Sequence, residues 1–171
     1  PTFYRRFPIE TLDANVTGLR RLLDHYRQNI PKGMLFFSSS EIYGNPPADQ
    51  VPTQEDYFGN VSAIGPRACY DEGKRLGETL CYLFAKQYGL PITVARPFNN
   101  YGPGMSLDDR RVPADFAKAV LQGEDIVILS DGTPTRTFCY VADAVAGYVQ
   151  ALLHGRYDYF NIGIEEPEIS V

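Results

Sequence analysis

Two short runs of apolar residues constrain the fold of this chain more than any other feature of its sequence. Met34–Phe37 is continuously apolar rather than alternating, and residues 92–95 are apolar apart from Thr93. Each run gives way to polar residues, Ser38 in the first case and Arg96 in the second. A strand has this pattern when helices cover both faces of a parallel sheet. Between the runs, residues 67–88 carry apolar side chains at helical spacing and are followed by a glycine. The pattern therefore predicts an α/β fold with a mostly parallel sheet.

Further helices and strands are predicted around these two runs. Apolar spacing indicates helices over residues 8–25, 112–121 and 141–153, and strands over residues 126–129 and 159–162. On the last of these helices, the residues expected to face inward are Val141, Ala144, Val145, Tyr148 and Leu152. Residues 44–66 are rich in proline and glycine and have no sustained period, which predicts a long loop of the kind that usually carries function.

The net charge and the cysteines argue against several classes of function. The formal net charge of -5 is unlike that of a nucleic-acid-binding protein, which usually has a basic face. No apolar run has the length of a membrane span. Cys69, Cys81 and Cys139 lack the spacing of metal ligands, so we expect free thiols and no metal site. We therefore expect a cytoplasmic protein that binds neither nucleic acid nor membranes.

The local feature with the clearest chemical meaning is the spacing of Tyr70 and Lys74. Residues four apart share one face of a helix, so the phenol and the ammonium can point into one site. A nearby cation favours the ionised form of a phenol, which makes such a pair a plausible general acid and base for a hydroxyl group that becomes a carbonyl. The hydroxyl-rich run after the first predicted strand reinforces this interpretation, since open α/β sheets place ligands at the C-terminal ends of their strands.

Four segments together carry a resemblance to a known family. They read FFSSSEIYG, ACYDEGKRLGE, VARPFNNYGPG and TRTFCYVADAVAG, and they occur in this order along the chain. In sequence and separation they resemble the extended short-chain dehydrogenase/reductases that act on nucleoside-diphosphate sugars. The resemblance covers nearly all 171 residues.

The resemblance implies a Rossmann-like fold in two parts. Residues 1–103 would form the C-terminal part of an NAD-binding domain, and residues 104–171 a small, interleaved and incomplete substrate-binding lobe. A sheet that binds a dinucleotide opens with a strand, a glycine-rich turn and a helix, and no such turn occurs in the sequence. We therefore expect that the N-terminal βαβ unit is missing, that both ends are cut, and that the chain alone is inactive and binds NAD very weakly.

The resemblance also implies roles for residues at matching positions in catalysis and cofactor binding. Tyr70 would be the catalytic acid and base, Lys74 would hold the nicotinamide ribose, and Ser39 would bond the 4-hydroxyl of the sugar. Glu41 is placed with these catalytic residues. The remaining residues expected to contact NAD are Asn15, Pro97 and Phe98.

Substrate contacts and a subunit interface follow from the same resemblance. The residues expected to bind the nucleoside-diphosphate sugar are Ser40, Asn99, Arg111 and Arg136, with the nucleotide near residues 111–116. Family dimers pair two helices from each subunit, so we expect a homodimer through helices 8–25 and 67–88.

The residues after Ser39 bear on which reaction follows oxidation at C4. Dehydratases of the family carry an acid at position 40, where this chain has Ser40, so dehydration is disfavoured. The Ser-Glu pair at positions 40 and 41 resembles UDP-glucuronate decarboxylases, but Leu129 and Asp131 depart from their pattern near the nucleotide. A decarboxylase through a 4-keto intermediate is the first expectation. A 4-epimerase and a non-catalytic relative that keeps the fold as a scaffold are the alternatives.

Overall fold

The computed structural model describes residues 2–170, and a three-stranded parallel sheet lies at its centre. In chain order the strands are β1 Met34–Phe37, β2 Ile92–Pro97, β3 Asn100–Tyr101, β4 Thr135–Arg136, β5 Cys139–Tyr140, β6 Asp158–Ile162 and β7 Ile169–Ser170. The central sheet has the order β1-β2-β6. β1 and β2 pair in register from Met34 opposite Ile92 to Phe37 opposite Ala95. The predicted α/β fold with a mostly parallel sheet is confirmed.

Helices flank the sheet, and short strands pair outside it. In chain order the helices are α1 Thr2–Arg6, α2 Pro8–Asp13, α3 Leu19–Gln28, α4 Ala68–Tyr88, α5 Val112–Gln122 and α6 Val141–Leu153. A π-helical segment, Ala14–Gly18, joins α2 to α3, so the predicted helix over residues 8–25 is one helix with an irregular middle. Short 3₁₀-helices span Ser40–Tyr43 and Ala48–Gln50. β3 pairs with β5, and β4 with β7.

The core fills the space between the sheet and the helices α3 and α4. Its buried members include Leu23, Phe36, Cys81 and Ile92. Close approach of α4 to the sheet depends on Gly77, because a Cβ atom there would lie 2.5 Å from the Phe36 ring. Neighbouring strand residues point to opposite faces. The next residue of β1, Phe37, accordingly packs edge-to-face on Tyr148 of α6, with ring centroids 4.8 Å apart. Helices therefore cover both faces, as the continuous apolar runs predicted.

Two expectations about apolar residues are wrong. Residues 126–129 form no strand and are exposed, Leu129 to 92%. A strand needs a neighbouring backbone for its hydrogen bonds. In the described part of the chain, β7 pairs with β4 and nothing pairs with residues 126–129.

The buried face of α6 is narrower than expected. Ala144 is buried, but Val145 and Leu152, which were expected to face inward, are 49% and 40% exposed. The sheet therefore contacts a narrower stripe of this helix than its apolar spacing suggests.

The main sheet also takes a strand from the second half of the chain. β6 lies beyond residue 103 and pairs with β2, so residues 104–171 are interleaved with the first part, while the boundary at 103 stays a prediction. Among the described residues, no helix combines the length and the apolar character needed to cross a membrane.

Candidate functional site

The site begins where β1 ends. The backbone N–H of Ser38 donates to the oxygen of Ala95 at 2.8 Å, which continues the β1–β2 register by one residue. Ser39 then caps the 3₁₀-helix that follows, since its Oγ accepts a hydrogen bond from the Glu41 N–H at 3.2 Å. Ser38 and Ser39 are buried, and the Ser38 hydroxyl has no hydrogen-bond partner among residues 2–170. The Ser39 hydroxyl accepts this bond through a lone pair, so its O–H remains able to donate.

Tyr70 and Lys74 lie one turn apart on α4, beside this strand end. The Lys74 Nζ is 5.8 Å from the centroid of the Tyr70 ring. It donates a hydrogen bond to the backbone oxygen of Phe37 at 2.9 Å. Burial lowers the pKa of Lys74. The helix spacing therefore brings the phenol and the ammonium together, and the hydrogen bond ties both to the end of β1.

Asn15 lies against the same stretch of α4. It belongs to the π-helical segment, and its Nδ2 donates to the backbone oxygen of Thr11 at 2.8 Å. A Cβ atom on Gly73 would lie 3.3 Å from the Asn15 Cβ, so the glycine between Tyr70 and Lys74 permits this close approach. Single π-helical turns are frequent at functional sites. The predicted cofactor residue Asn15 is thus close to the Tyr70–Lys74 turn.

Pro97 ends β2, and Phe98 and Asn99 follow it. The Phe98 N–H donates to the oxygen of Ile162 at 2.9 Å, which ties this segment to β6. The Asn99 Nδ2 donates to the oxygen of Thr137 at 3.1 Å, next to the predicted substrate ligand Arg136. The C-terminal ends of β1, β2 and β6 therefore meet at one edge of the sheet, where open α/β sheets bind ligands.

Two cavities adjoin this edge. The first cavity has a volume of about 610 Å³, and its lining includes four of the predicted site residues besides Arg136, namely Ser40, Glu41, Phe98 and Asn99. The second cavity has a volume of about 320 Å³, and five arginines line it, namely Arg5, Arg67, Arg110, Arg111 and Arg136. Asn99 and Arg136 line both cavities. The other predicted residues, Asn15, Ser39, Tyr70, Lys74 and Pro97, lie outside both linings.

The predicted substrate ligands differ in their present partners. Arg111 is engaged by Asp109, with Nε 2.7 Å from the carboxylate oxygen. Within residues 2–170, the exposed Arg136 donates only to the neighbouring Thr135 oxygen, at 2.6 Å. Arg136 is therefore the freer of the two guanidinium groups to bind a ligand.

Arg67 and Tyr4 are part of the site although their patterns predicted no role for them. Arg67 precedes α4 and forms an ion pair with Glu41, Nη2 to Oε2, at 2.5 Å. Tyr4 of α1 stacks on Tyr70 with ring centroids 5.5 Å apart and an interplanar angle of 25°. The four-residue spacing from Arg67 to Asp71 could have indicated an ion pair on the helix. No local pattern could have indicated the contact between Tyr4 and Tyr70, which are 66 positions apart along the chain.

A buried ion pair is joined by hydrogen bonds to two residues that line the first cavity, Tyr43 and Asn161. Arg96 of β2 binds both carboxylate oxygens of Glu78 on α4, at 3.0 and 2.6 Å. Its Nη1 also donates to the Tyr43 hydroxyl at 2.8 Å, and that hydroxyl donates to Asn161 at 2.7 Å. Burial raises the pKa of Tyr43, so it remains a hydrogen-bond donor. The network joins α4, β2 and β6 beneath the site.

Comparison with known proteins agrees with this geometry. A model of the NAD dependent epimerase/dehydratase family matches residues 4–163. The chain belongs to this family. The resemblance drawn from the four sequence segments is therefore confirmed, together with the prediction of a family of NAD-dependent enzymes.

Curated relatives include several decarboxylases. UDP-glucuronic acid decarboxylase 6 of Arabidopsis thaliana is 42% identical over 163 residues, which are 95% of this chain and 47% of the relative. UDP-glucuronic acid decarboxylase 1 of Xenopus tropicalis is 44% identical over 149 residues, which are 87% of this chain and 35% of the relative. The chain therefore spans about half or less of the length of the relatives it matches.

Solved structures with the same fold include epimerases. UDP-glucose 4-epimerase from Thermotoga maritima superimposes with a TM-score of 0.87 at 30% identity, covering 99% of this chain and 53% of that one. UDP-glucuronic acid 4-epimerase from Bacillus cereus, in complex with UDP-glucuronic acid and NAD, gives 0.74 at 27% identity, covering 93% and 48%. These structures confirm the Rossmann-like fold class.

Proposed function

We propose that this chain is the catalytic half of an NAD-dependent enzyme that decarboxylates a nucleoside-diphosphate glucuronate through a 4-keto sugar. The observation that carries this proposal is the placement of Glu41. Its ion pair with Arg67, the residue three positions before Tyr70, holds the Ser-Ser-Glu segment beside the start of α4. The Ser39 hydroxyl, the Glu41 carboxylate and the Tyr70–Lys74 pair therefore lie near the same edge of the sheet. The arginine-lined cavity adjoins this edge.

The proposed chemistry begins at the C4 hydroxyl of the sugar. Tyr70, as the phenolate, takes the hydroxyl proton, and Ser39 donates a hydrogen bond to the same oxygen. NAD, when bound, accepts the hydride from C4 and returns it at the end. The resulting ketone makes the C6 carboxylate a β-keto acid, so the C5–C6 bond breaks and its electron pair passes into the enolate as CO₂ leaves. A proton from water then adds at C5 and restores the 4-ketone, and the proton held by Tyr70 returns to the C4 oxygen when the hydride returns to C4. Glu41 contributes a carboxylate that accepts hydrogen bonds from the sugar.

The residues present fit one end of NAD. Lys74 uses one hydrogen bond on Phe37, and an ammonium has three donors, so donors remain for ribose hydroxyls beside Tyr70. Asn15, Pro97 and Phe98 would surround the nicotinamide. For the pyrophosphate, the family uses a glycine-rich turn at a helix N-terminus, which this sequence does not contain. Calorimetry on these 171 residues should therefore show NAD binding weaker than micromolar, and the chain alone should not turn over substrate.

The charges of the second cavity support an anionic substrate. Of its five arginines, Arg67 and Arg111 pair with carboxylates. Arg5, Arg110 and Arg136 form no ion pair within the described part of the chain. Guanidinium groups bind phosphate oxygens through two parallel hydrogen bonds. A sugar nucleotide with a diphosphate and a C6 carboxylate carries negative charges that can pair with these three arginines.

A nucleoside-diphosphate sugar 4-epimerase is the second candidate. The observation that favours it is the close likeness to UDP-glucose 4-epimerase, which covers 99% of this chain. An epimerase would perform the same oxidation at C4 and return the hydride to the other face. Dehydration is disfavoured, because Ser40 supplies no acid for a leaving hydroxyl.

Product analysis separates these candidates. The full reading frame that encodes these residues would be incubated with UDP-glucuronate and NAD, with UDP-glucose in a parallel reaction. Decarboxylation releases CO₂ and a UDP-pentose from the first substrate. The 4-epimer of either substrate without CO₂ would establish the epimerase instead. No conversion of either sugar would support the non-catalytic scaffold.

We also propose a homodimer through helices 8–25 and 67–88. Several apolar side chains on these helices are exposed, including Ile9 at 73%, Leu22 at 41% and Leu83 at 49%. Exposed apolar clusters mark interaction surfaces. Sedimentation should give a dimer that Leu83→Glu dissociates, with Leu129→Glu as the matched control on an exposed leucine elsewhere. A monomer at high concentration would contradict the proposal.

We further propose that the protein is cytoplasmic. Its three cysteines are unpaired in the structure, and two of them, Cys81 and Cys139, are buried. Buried free thiols are typical of a reducing compartment. Cell fractionation should recover the protein with the cytosol, and recovery with an oxidising compartment would contradict the assignment.

A further inference from the structure

The guanidinium of Arg67 contacts three different parts of the chain. Its Nη2 lies 2.5 Å from Oε2 of Glu41, in the 3₁₀-helix after β1. Its Nε lies 3.6 Å from Oδ2 of Asp71, in the first turn of α4. Its Cζ lies 5.9 Å from the ring centroid of Tyr4 in α1. One side chain therefore links the strand end, the catalytic helix and the N-terminal helix.

Tyr4 extends this linkage to Tyr70. The two rings stack with centroids 5.5 Å apart, and Lys74 approaches the Tyr70 ring with its Nζ 5.8 Å from the centroid. Stacked aromatic pairs favour a defined relative orientation. The Tyr70 ring is thus held by Tyr4 and Lys74, and Tyr4 is itself held by Arg67.

We propose that Arg67 is a positioning residue that fixes the carboxylate of Glu41 and, through Tyr4, the ring of Tyr70. This inference rests on the proposed function, because it requires Glu41 and Tyr70 to act on the substrate. Planar guanidinium groups suit this role, since their donors point in fixed directions toward more than one acceptor. A lysine would keep the positive charge but could not hold Glu41 and Asp71 in the same fixed geometry.

The surroundings of Arg67 determine which variants are informative. The side chains of Arg67 and Glu41 are 41% and 42% exposed, so their pairing contributes little to folding. Asp71 is buried, and its Oδ1 has no hydrogen-bond partner among residues 2–170. Burial raises the pKa of Asp71, and the positive charge of Arg67 opposes that increase. Arg67→Lys keeps a cation beside Asp71 and should fold, whereas Arg67→Gln removes it.

The test is a double-mutant cycle in the full reading frame that encodes these residues. Arg67→Gln should lower kcat for the sugar nucleotide by about tenfold to a hundredfold, with KM changed less than about threefold, because misplacing a reacting group slows the chemical step. In a Glu41→Gln background the same change should cost clearly less, because the part of the effect that passes through Glu41 is already lost and only the part that passes through Tyr4 remains. Arg67→Lys should fall between wild type and Arg67→Gln. Lys118→Gln, which removes an exposed ion pair to Asp108, should leave kcat unchanged.

Each outcome bears on a different claim. Equal losses in both backgrounds would mean that Arg67 does not act through Glu41, and unchanged kcat in Arg67→Gln would mean that it does not act at all. Either result overturns the Arg67 proposal while leaving the proposed function standing. If Glu41→Gln and Tyr70→Phe both keep full turnover, the proposed function fails and the Arg67 proposal fails with it. If Arg67→Gln does not fold, an Arg67→Lys enzyme with wild-type kcat is sufficient to reject the proposal.

Discussion

Lys74 approaches Tyr70 with its Nζ 5.8 Å from the ring centroid, and the same nitrogen donates to the backbone of β1 at 2.9 Å. The ammonium is therefore fixed on two sides, by the helix that carries both residues and by the strand end that carries Ser39. In the proposed mechanism, this positive charge lies beside the phenol that exchanges the C4 proton. This relationship is the physical basis of the proposed acid and base.

Replacing Lys74 by alanine should lower turnover and weaken NAD binding. The variant loses the cation beside the phenol that exchanges the C4 proton, so kcat of the full reading frame should fall by about tenfold or more. NAD binding should also weaken, because the ribose loses a donor. Steady-state rates at saturating NAD and calorimetry with NAD test this expectation. A variant with unchanged kcat would show that Lys74 does not act on the phenol.

The partly buried ammonium of Lys74 also predicts how stability depends on pH. Burial lowers the pKa of Lys74 below its usual value of 10.5, so between the lowered value and 10.5 the unfolded chain binds more protons than the folded one. Stability therefore rises with pH in that window. The difference in unfolding free energy between wild type and Lys74→Met should shift in favour of wild type as pH increases there. Urea unfolding at several alkaline pH values measures it, and a constant difference would contradict the prediction.

The three thiols should react in a fixed order. Burial raises the pKa of Cys81 to about 12 and also raises the pKa of Cys139. A thiol with a pKa of about 12 is a thiolate for only about one part in ten thousand near pH 8, and the thiolate is the reactive form. The half-buried Cys69 should therefore be alkylated first in the native protein. Peptide mapping by mass spectrometry gives the order, and early labelling of Cys81 would refute it.

The buried Arg96–Glu78 pair should be important for stability. Both side chains are about nine-tenths buried and joined by two hydrogen bonds. Removing one partner of such a pair leaves an uncompensated charge and costs about 3–5 kcal/mol. Glu78→Ala should lower the free energy of unfolding by this amount, and the double variant Glu78→Met/Arg96→Met should lose less. Urea denaturation compares them, with the exposed Glu72→Ala as reference. A double variant at least as unstable as Glu78→Ala would contradict the account.

Local patterns predicted the parts of the fold whose structure is set nearby in the chain. β1, β2 and α4 follow from continuous apolar runs and helical spacing, and the Tyr70–Lys74 juxtaposition follows from one helical turn. The prediction of a strand at 126–129 was wrong, because a strand needs a partner strand and an apolar run does not specify one. The prediction that Val145 faces inward was wrong for a related reason. The number of α6 residues that pack against the sheet depends on the sheet itself and not on the helix alone.

Most of the predicted site residues belong to the four family segments, and Asn15 and Arg111 lie outside them. Ser39, Glu41 and Arg136 lie in those segments, whereas Arg67 lies just before one and Tyr4 outside all of them. The contacts that Arg67 and Tyr4 make join α1, α4 and the end of β1, which are distant along the chain. Long-range contacts of this kind depend on packing and leave no periodic signal in the sequence.

Replacement of Tyr70 by phenylalanine tests the central claim most directly. The change removes the one hydroxyl proposed to carry the C4 proton and leaves the ring that stacks on Tyr4. Proton-transfer catalysis contributes about 10²–10⁴-fold, so kcat of the full reading frame with UDP-glucuronate should fall by that factor while substrate binding is largely kept. Ser39→Ala should be milder, because the oxygen loses one hydrogen bond but keeps Tyr70. A Tyr70→Phe enzyme that retains more than about half of its turnover would contradict the mechanism proposed for this site.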